Sequence, residues 1–163
     1  LLKAEVPDAR LLFVNRQENE LIRSRAAAAG VGTPFLEIVA ADHRDMPRQI
    51  GRMSAGMALI KPAYSKIASA PTKLAEYLGC GVPCLGNAGV GDMQAILEGR
   101  RVGVAVRELS EAGLQDSLRR LLELMVEKCL QQRCRQAALE LFSLNAGVQA
   151  YSGIYGRLAD VRT

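Results

Sequence analysis

Short apolar runs alternate with amphipathic stretches along the first two thirds of the chain. Arg10 to Val14, Phe35 to Ala40, Met57 to Ile60, Val82 to Gly86 and Val102 to Val106 are apolar runs set between polar or glycine-rich links. Runs of this kind read as strands buried on both faces. Between them, apolar positions return at helical spacing. Leu1 to Val6 reads as a helix tail stopped by Pro7-Asp8. Glu18 to Ala29 reads as a helix with Leu21, Ile22 and the alanines on its packed side, ended by Gly30. Met46 to Met53 and Asp92 to Glu98 read as two more helices, the second stopped by Gly99. The third strand ends at Lys61-Pro62.

Strands and helices joined by short links predict right-handed crossovers and a parallel sheet covered by helices. The expectation is therefore a doubly wound, Rossmann-like α/β domain. From Ser110 the pattern is helical only. Glu111 to Val126 carries Leu114, Leu118, Leu121, Leu122 and Met125, and Glu127 to Leu141 follows. Ser143 is placed to cap a last helix bearing Val148, Tyr151, Ile154, Tyr155 and Leu158. The reading is one domain over residues 1–163, with an α/β core over 1–109 and a C-terminal helical tail over 110–163.

The stretch Ser69 to Asn87 carries the densest signals. Pro71 suits a first helical position, where its missing N–H costs nothing. Gly79 and Gly81 suit a helix end. A helix start offers free N–H groups and partial positive charge to an anion. Lys73 adds a full charge one turn in, and Glu76, three residues on, faces the same side. The pair suits a nucleotide, with diphosphate at the helix tip and ribose hydroxyls beside it. Periodicity alone favours the plainer reading, a capped surface helix with an internal Lys–Glu pair, because such pairs are common.

Composition narrows the partners. A chain of 163 residues with 49% hydrophobic residues can bury a core. Mean hydropathy is +0.06, and no apolar run approaches the ~20 residues of a membrane span. The mild net charge of +4 fits an anionic ligand, an acidic membrane surface, or no partner at all. Aromatic residues make up only 4%, which argues against a stacking platform for nucleic acid. Cys80, Cys84, Cys129 and Cys134 lack Cys-x-x-Cys spacing, and His43 is the sole histidine. That set argues for free buried thiols in a reducing cytosol and against a zinc site. With one histidine, a Ser-His-Asp relay is hard to build. No secretory leader is read at Leu1, and a first residue other than Met reads as a fragment.

Pro71-Thr72-Lys73-Leu74-Ala75-Glu76-Tyr77-Leu78-Gly79-Cys80-Gly81-Val82-Pro83, followed by Gly89-Val90-Gly91-Asp92, resembles the donor-site signature of family-4-like retaining glycosyltransferases of the two-domain B fold. That pattern is Pro-x-Lys-x-x-Glu-x-x-x-x-Gly-x-Pro, then a glycine-rich turn opening a helix. The order of elements on both sides is similar to that family's C-terminal domain over nearly the whole chain. The resemblance implies a domain that binds a nucleoside-diphosphate sugar as substrate, without a metal or other cofactor. The intact enzyme would be a glycosyltransferase of the hexosyltransferase type in glycan biosynthesis. It would be cytoplasmic, with peripheral contact at the inner face of a membrane left open. The family's opening strand, glycine loop, Arg/Lys clamp and N-terminal acceptor domain are not found before Leu1. The fragment alone is expected to be inactive.

Residue by residue, the resemblance makes Glu76 the acceptor of the ribose hydroxyls. Thr72 and Lys73 supply the helix-start N–H groups, with Pro71 setting the turn. Lys73 is the catalytic candidate, its ammonium facing the leaving diphosphate. Lys66 and Ser69 lie in the loop after the Met57 strand, where ligands of doubly wound sheets bind. His43 falls where the family's base-contacting loop lies. Arg16, with Asn15, follows the first strand as a weaker candidate. Each has a plain alternative: a solvated lysine, a lone loop histidine, a surface arginine. Ala68 departs from the pattern, since many members carry there a first glutamate that approaches the sugar. Gly86, Gly89 and Gly91 form an incomplete glycine motif, read as a turn needing close approach. Two other functions stand beside this one: a nonenzymatic α/β nucleotide- or partner-binding module, or a sugar-nucleotide epimerase-like domain.

Overall fold

The computed structural model describes residues 2–61 and 63–160; Leu1 and Pro62, assigned above to a helix tail and a strand end, lie outside the described residues. The chain is α/β. Its strands are β1 (Leu11–Val14), β2 (Leu36–Val39), β3 (Gly56–Ala58), β4 (Cys84–Asn87) and β5 (Gly103–Val106). Its helices are α1 (Leu2–Glu5), α2 (Asn19–Ala28), α3 (Met46–Ile50), α4 (Thr72–Gly79) and α5 (Met93–Gly99), then α6 (Glu111–Met125), α7 (Leu130–Phe142) and α8 (Leu144–Asp160). Every expected element is present, most of them shortened or shifted by a residue or more. Among the described residues no helix is long and apolar enough to cross a membrane.

All pairing is parallel, but the strands do not join into one sheet. β1 pairs with β2, Leu11 opposite Leu36. β3 pairs with β4 and β4 with β5, Gly56 opposite Cys84 and Cys84 opposite Gly103. No ladder links the pair to the triplet among the described residues. Gly56 N–H donates to the Pro83 carbonyl at 2.8 Å, which seats β3 on β4 by one edge, and β1 pairs with β2.

The triplet is the core. Cys84 points to one face, with Leu74, Leu78, Met93, Leu97 and Cys134 from α4, α5 and α7. Leu85, Val104 and Val106 point to the other, against Leu121 of α6. Helices thus cover both faces, and the near-continuous apolar strands follow from that. Gly86 allows the closest approach of sheet and helix, since a Cβ there would run into Met93.

The β1–β2 pair is thinly packed, against expectation. Leu36 is its one fully buried strand residue, and Phe13 is exposed. α2 buries nothing, and Leu21 stays exposed. Alanine and short arginine-rich spacing set a helix here without setting a buried face. α3 carries the link to the triplet: Ile50 is buried, and Arg52 just after it donates to both oxygens of Glu37 on β2 at 2.6 and 2.7 Å.

Candidate functional site

α4 opens at the carboxyl end of β3, after a turn over Tyr64–Lys66 and a short loop. Pro71 stands one position earlier than expected, as the N-cap in extended conformation rather than inside the helix. No side chain caps this end. The N–H groups of Thr72 and Lys73 precede the first acceptor of the helix and point outward. Leu74 N–H is already taken by the Pro71 carbonyl at 3.1 Å.

The helix is held rigidly below its start. Leu74 and Leu78 are buried in the core. The other end closes as a Schellman motif: Gly81, at φ +80°, donates to Leu78, and Val82 donates to Tyr77. The Tyr77 ring lies against Gly56, where a Cβ would come within 2.5 Å of it. Its hydroxyl donates to the Met57 carbonyl at 3.3 Å. Burial pushes the Tyr77 phenol above its ordinary range, with Cys84 and Glu76 adding to the rise. The face of α4 bearing Lys73 and Glu76 is therefore fixed relative to β3.

Lys73 and Thr72 are exposed, while Glu76 and Pro71 are half-buried. No ion pair joins Lys73 to Glu76 among the described residues, so the internal-pair alternative does not form. Lys61 and Lys66 likewise have no carboxylate partner there. Glu76 is the lone acidic residue between Met53 and Asp92, against Lys61, Lys66 and Lys73. Most other acidic side chains of the triplet's helices are paired with arginines, as Glu98 and Glu140 are, and so is Glu127 between α6 and α7. The chain between β3 and α5 thus carries three lysines without a carboxylate partner among the described residues, while Asp92 after β4 and Glu108 after β5 are likewise exposed.

Lys66 and Ser69 sit in the loop leading into α4, Lys66 exposed and Ser69 half-buried. Tyr64 stands 92% exposed in the same turn as Lys66, an aromatic outside every motif read above. His43 lies exposed in the turn His43–Asp45 after β2. Arg16 is bound at the end of β1, paired with Asp42 and donating to the Ala41 carbonyl at 3.0 Å. Arg16 and the His43 turn are thus brought together, on the β1–β2 pair. No hydrogen bond or ion pair joins them to the α4 group among the described residues. Asn15 turns its amide to Gln17 and Asn19.

Asn87 was missed as a site element. It is buried at the end of β4, where its Oδ1 accepts from Ile60 N–H at 2.8 Å and its Nδ2 donates to Ile60 C=O at 3.0 Å. A lone asparagine closing an apolar run is the signal that marks it. Gly89 and Gly91 have φ of +76° and +46°, and a Cβ on Gly91 would run into the Ser69 carbonyl, as the close-approach reading requires.

Two shallow clefts mark the surface. One, of about 590 Å³, is lined by Gly89, Gly91, Asp92, Gln94 and Glu98. The other, about 490 Å³, lies between α5 and α7 around Arg100, Arg133 and Glu140. Neither includes Lys73 or Glu76, so the charged group occupies an open surface of strand ends. Cys80 follows α4, and burial pushes its thiol up while Arg135 opposes the rise. Fold and site together define an α/β domain whose parallel strands lead into an uncapped helix start bearing a lysine unpaired among the described residues. No family model and no curated protein matches the chain.

Proposed function

We propose that the chain is the nucleotide-sugar-binding domain of a retaining glycosyltransferase of the two-domain B fold. The observation that carries this is the uncapped start of α4 at the carboxyl end of β3, with Lys73 unpaired and Glu76 one turn along. The diphosphate of a nucleoside-diphosphate sugar lies against the Thr72 and Lys73 N–H groups. The Glu76 carboxylate accepts from the two ribose hydroxyls, a charge-assisted pair. As the glycosidic bond to phosphate breaks, charge grows on the leaving oxygens, and Lys73 stabilises it. The acceptor hydroxyl attacks from the leaving-group face, and the departing phosphate takes its proton. The acceptor is held by the partner domain of the intact enzyme.

The sheet supports the same reading. A doubly wound sheet has strand order 3-2-1-4-5-6. Taking away its first strand leaves a parallel pair and a parallel triplet, the pairing of β1–β2 and β3–β4–β5. Arg16 and His43 then flank the site from the pair as donor-binding residues, beside Lys66 and Ser69 on the α4 side.

Calorimetric titration with UDP, GDP, ADP and CMP tests the reading. One nucleotide binds saturably. Glu76→Ala and Lys73→Ala each weaken it by about 1.5–3 kcal/mol, roughly ten- to a hundredfold in Kd. Binding that both variants leave intact, or no binding by the full-length protein, sinks it. A nonenzymatic partner-binding module is the second reading, favoured by α8, whose apolar side chains Leu144, Val148, Tyr151, Tyr155 and Leu158 all stand exposed.

A further inference from the structure

Segment 61–70 delivers Lys66 and Ser69 and sets the entry into α4, yet it has no core of its own. Among its described residues only Ser69 is even half-buried. Its own hydrogen bonds, Lys66 to Ala63, Ile67 to Tyr64 and Ser69 to Lys66, shape a local turn, but what seats that turn against the core is a neighbour. That neighbour is the turn Asn87–Asp92. The turn itself is anchored: Val90 and Met93 are 1% exposed in the core, and Ala88 N–H donates to the Val106 carbonyl of β5 at 2.8 Å.

The turn grips the segment at two points. Asn87 copies a strand backbone, accepting from and donating to Ile60, so the β3–β4 pairing runs on past Ala58 through a side chain. Gly91 donates its N–H to the Ile67 carbonyl at 2.8 Å. It also sits so close to Ser69 that no side chain fits between them. We propose that Asn87 and Gly91 are positioning residues: the anchored turn holds segment 60–71 in the shape that presents Lys66, Ser69 and the α4 start together, before any ligand binds. The inference rests on the donor-site reading for its purpose, but the grip itself is testable without a ligand.

The experiment compares two alanines placed at positive φ. Gly91→Ala pushes into Ser69, whereas a Cβ on Gly89 meets nothing within 4 Å. Both variants carry the same kind of backbone strain, and only one disturbs the segment. Hydrogen exchange by mass spectrometry is read over residues 63–73 in the ligand-free protein. Gly91→Ala speeds exchange there by about tenfold or more, as expected for loss of local protection, and Gly89→Ala does not. Asn87→Ala speeds exchange from Ile60 onward. Equal exchange in the two glycine variants overturns the proposal, whatever becomes of Asn87→Ala, whose buried site makes it the riskier variant to fold.

A second measurement ties the grip to the site. Titration with UDP, GDP, ADP and CMP gives a Kd about tenfold weaker in Gly91→Ala than in wild type, at a melting temperature matching that of Gly89→Ala. Faster exchange with an unchanged Kd overturns the positioning role. If the full-length wild type takes up none of these nucleotides, the donor-site reading fails, and the exchange comparison alone decides whether the turn holds the segment.

Discussion

Glu98 does the work of three contacts with one carboxylate. It accepts from Arg120 at 2.8 Å and from Arg107 and Gln94 at 3.3 Å, tying α5 to α6 and to the end of β5. The Arg120 hydrogen bond holds its carboxyl below the ordinary range, with Gln94 and Arg107 adding to the effect and partial burial opposing it. A carboxyl whose folded pKa is depressed stabilises the fold fully above its unfolded pKa and loses that contribution as pH falls through the folded value. Glu98→Gln should therefore lower the melting temperature near neutral pH, and the gap to wild type should close as pH falls below about 4. Melting curves across that range check the sign; a gap that widens on acidification refutes it. The thiols make a second residue-scale case. Burial pushes Cys84 up to about 12 and Cys134 up to about 11, while Cys129 is exposed at φ +64° ahead of α7. A maleimide at neutral pH should label Cys129 within minutes and reach Cys84 and Cys134 only on unfolding, as peptide mapping would show. The expectation of buried thiols thus held for Cys84 and Cys134, held only in part for half-buried Cys80, and failed at Cys129, whose place in a left-handed turn no spacing rule marks.

Among the elements, α4 was the most legible and α2 the least. Proline and glycine act through local backbone chemistry, so the limits of α4 followed from Pro71, Gly79 and Gly81, with an error of one residue at the start. The burial of α2 depended on a partner face, and Leu21 and Ile22 found none that covers them fully. The same division runs through the site. The exposed Lys73 and the half-buried Glu76 were placed by helical period, but period does not decide whether two neighbours on a face pair, and these two do not. Two substitutions weigh the packing of α4. Leu78→Ala, at a fully buried position, should cost about 2–5 kcal/mol in urea unfolding. Gly56→Ala drives a methyl into the Tyr77 ring and should cost about 1–3 kcal/mol. A Gly56→Ala protein as stable as wild type would mean that the ring does not rest on that strand.

At the scale of the molecule, burial is concentrated in the triplet and its helices. α8 lies beyond it: from Gly147 to Ala159 every residue is exposed. A helix so placed is marginal on its own. Truncation after Ala146 should leave the melting temperature within about 2 °C of the full chain, and a larger fall would show that α8 supports the core. The α/β alternation and the parallel pairing were legible because apolar runs buried on both faces have few other solutions. The division into two sheets was not, because a strand's period says nothing of which edge it joins.

That division has a thermal consequence. The β1–β2 pair, with little buried surface, should open at a lower temperature than the triplet, and a heat-capacity trace should then show a shallow early shoulder before the main peak. A small molecule touching Arg16 or His43 on one bank and Lys73 or Glu76 on the other would rivet the two. Its signature is the shoulder moving up into the main peak, a merging that a ligand held by α4 alone does not produce.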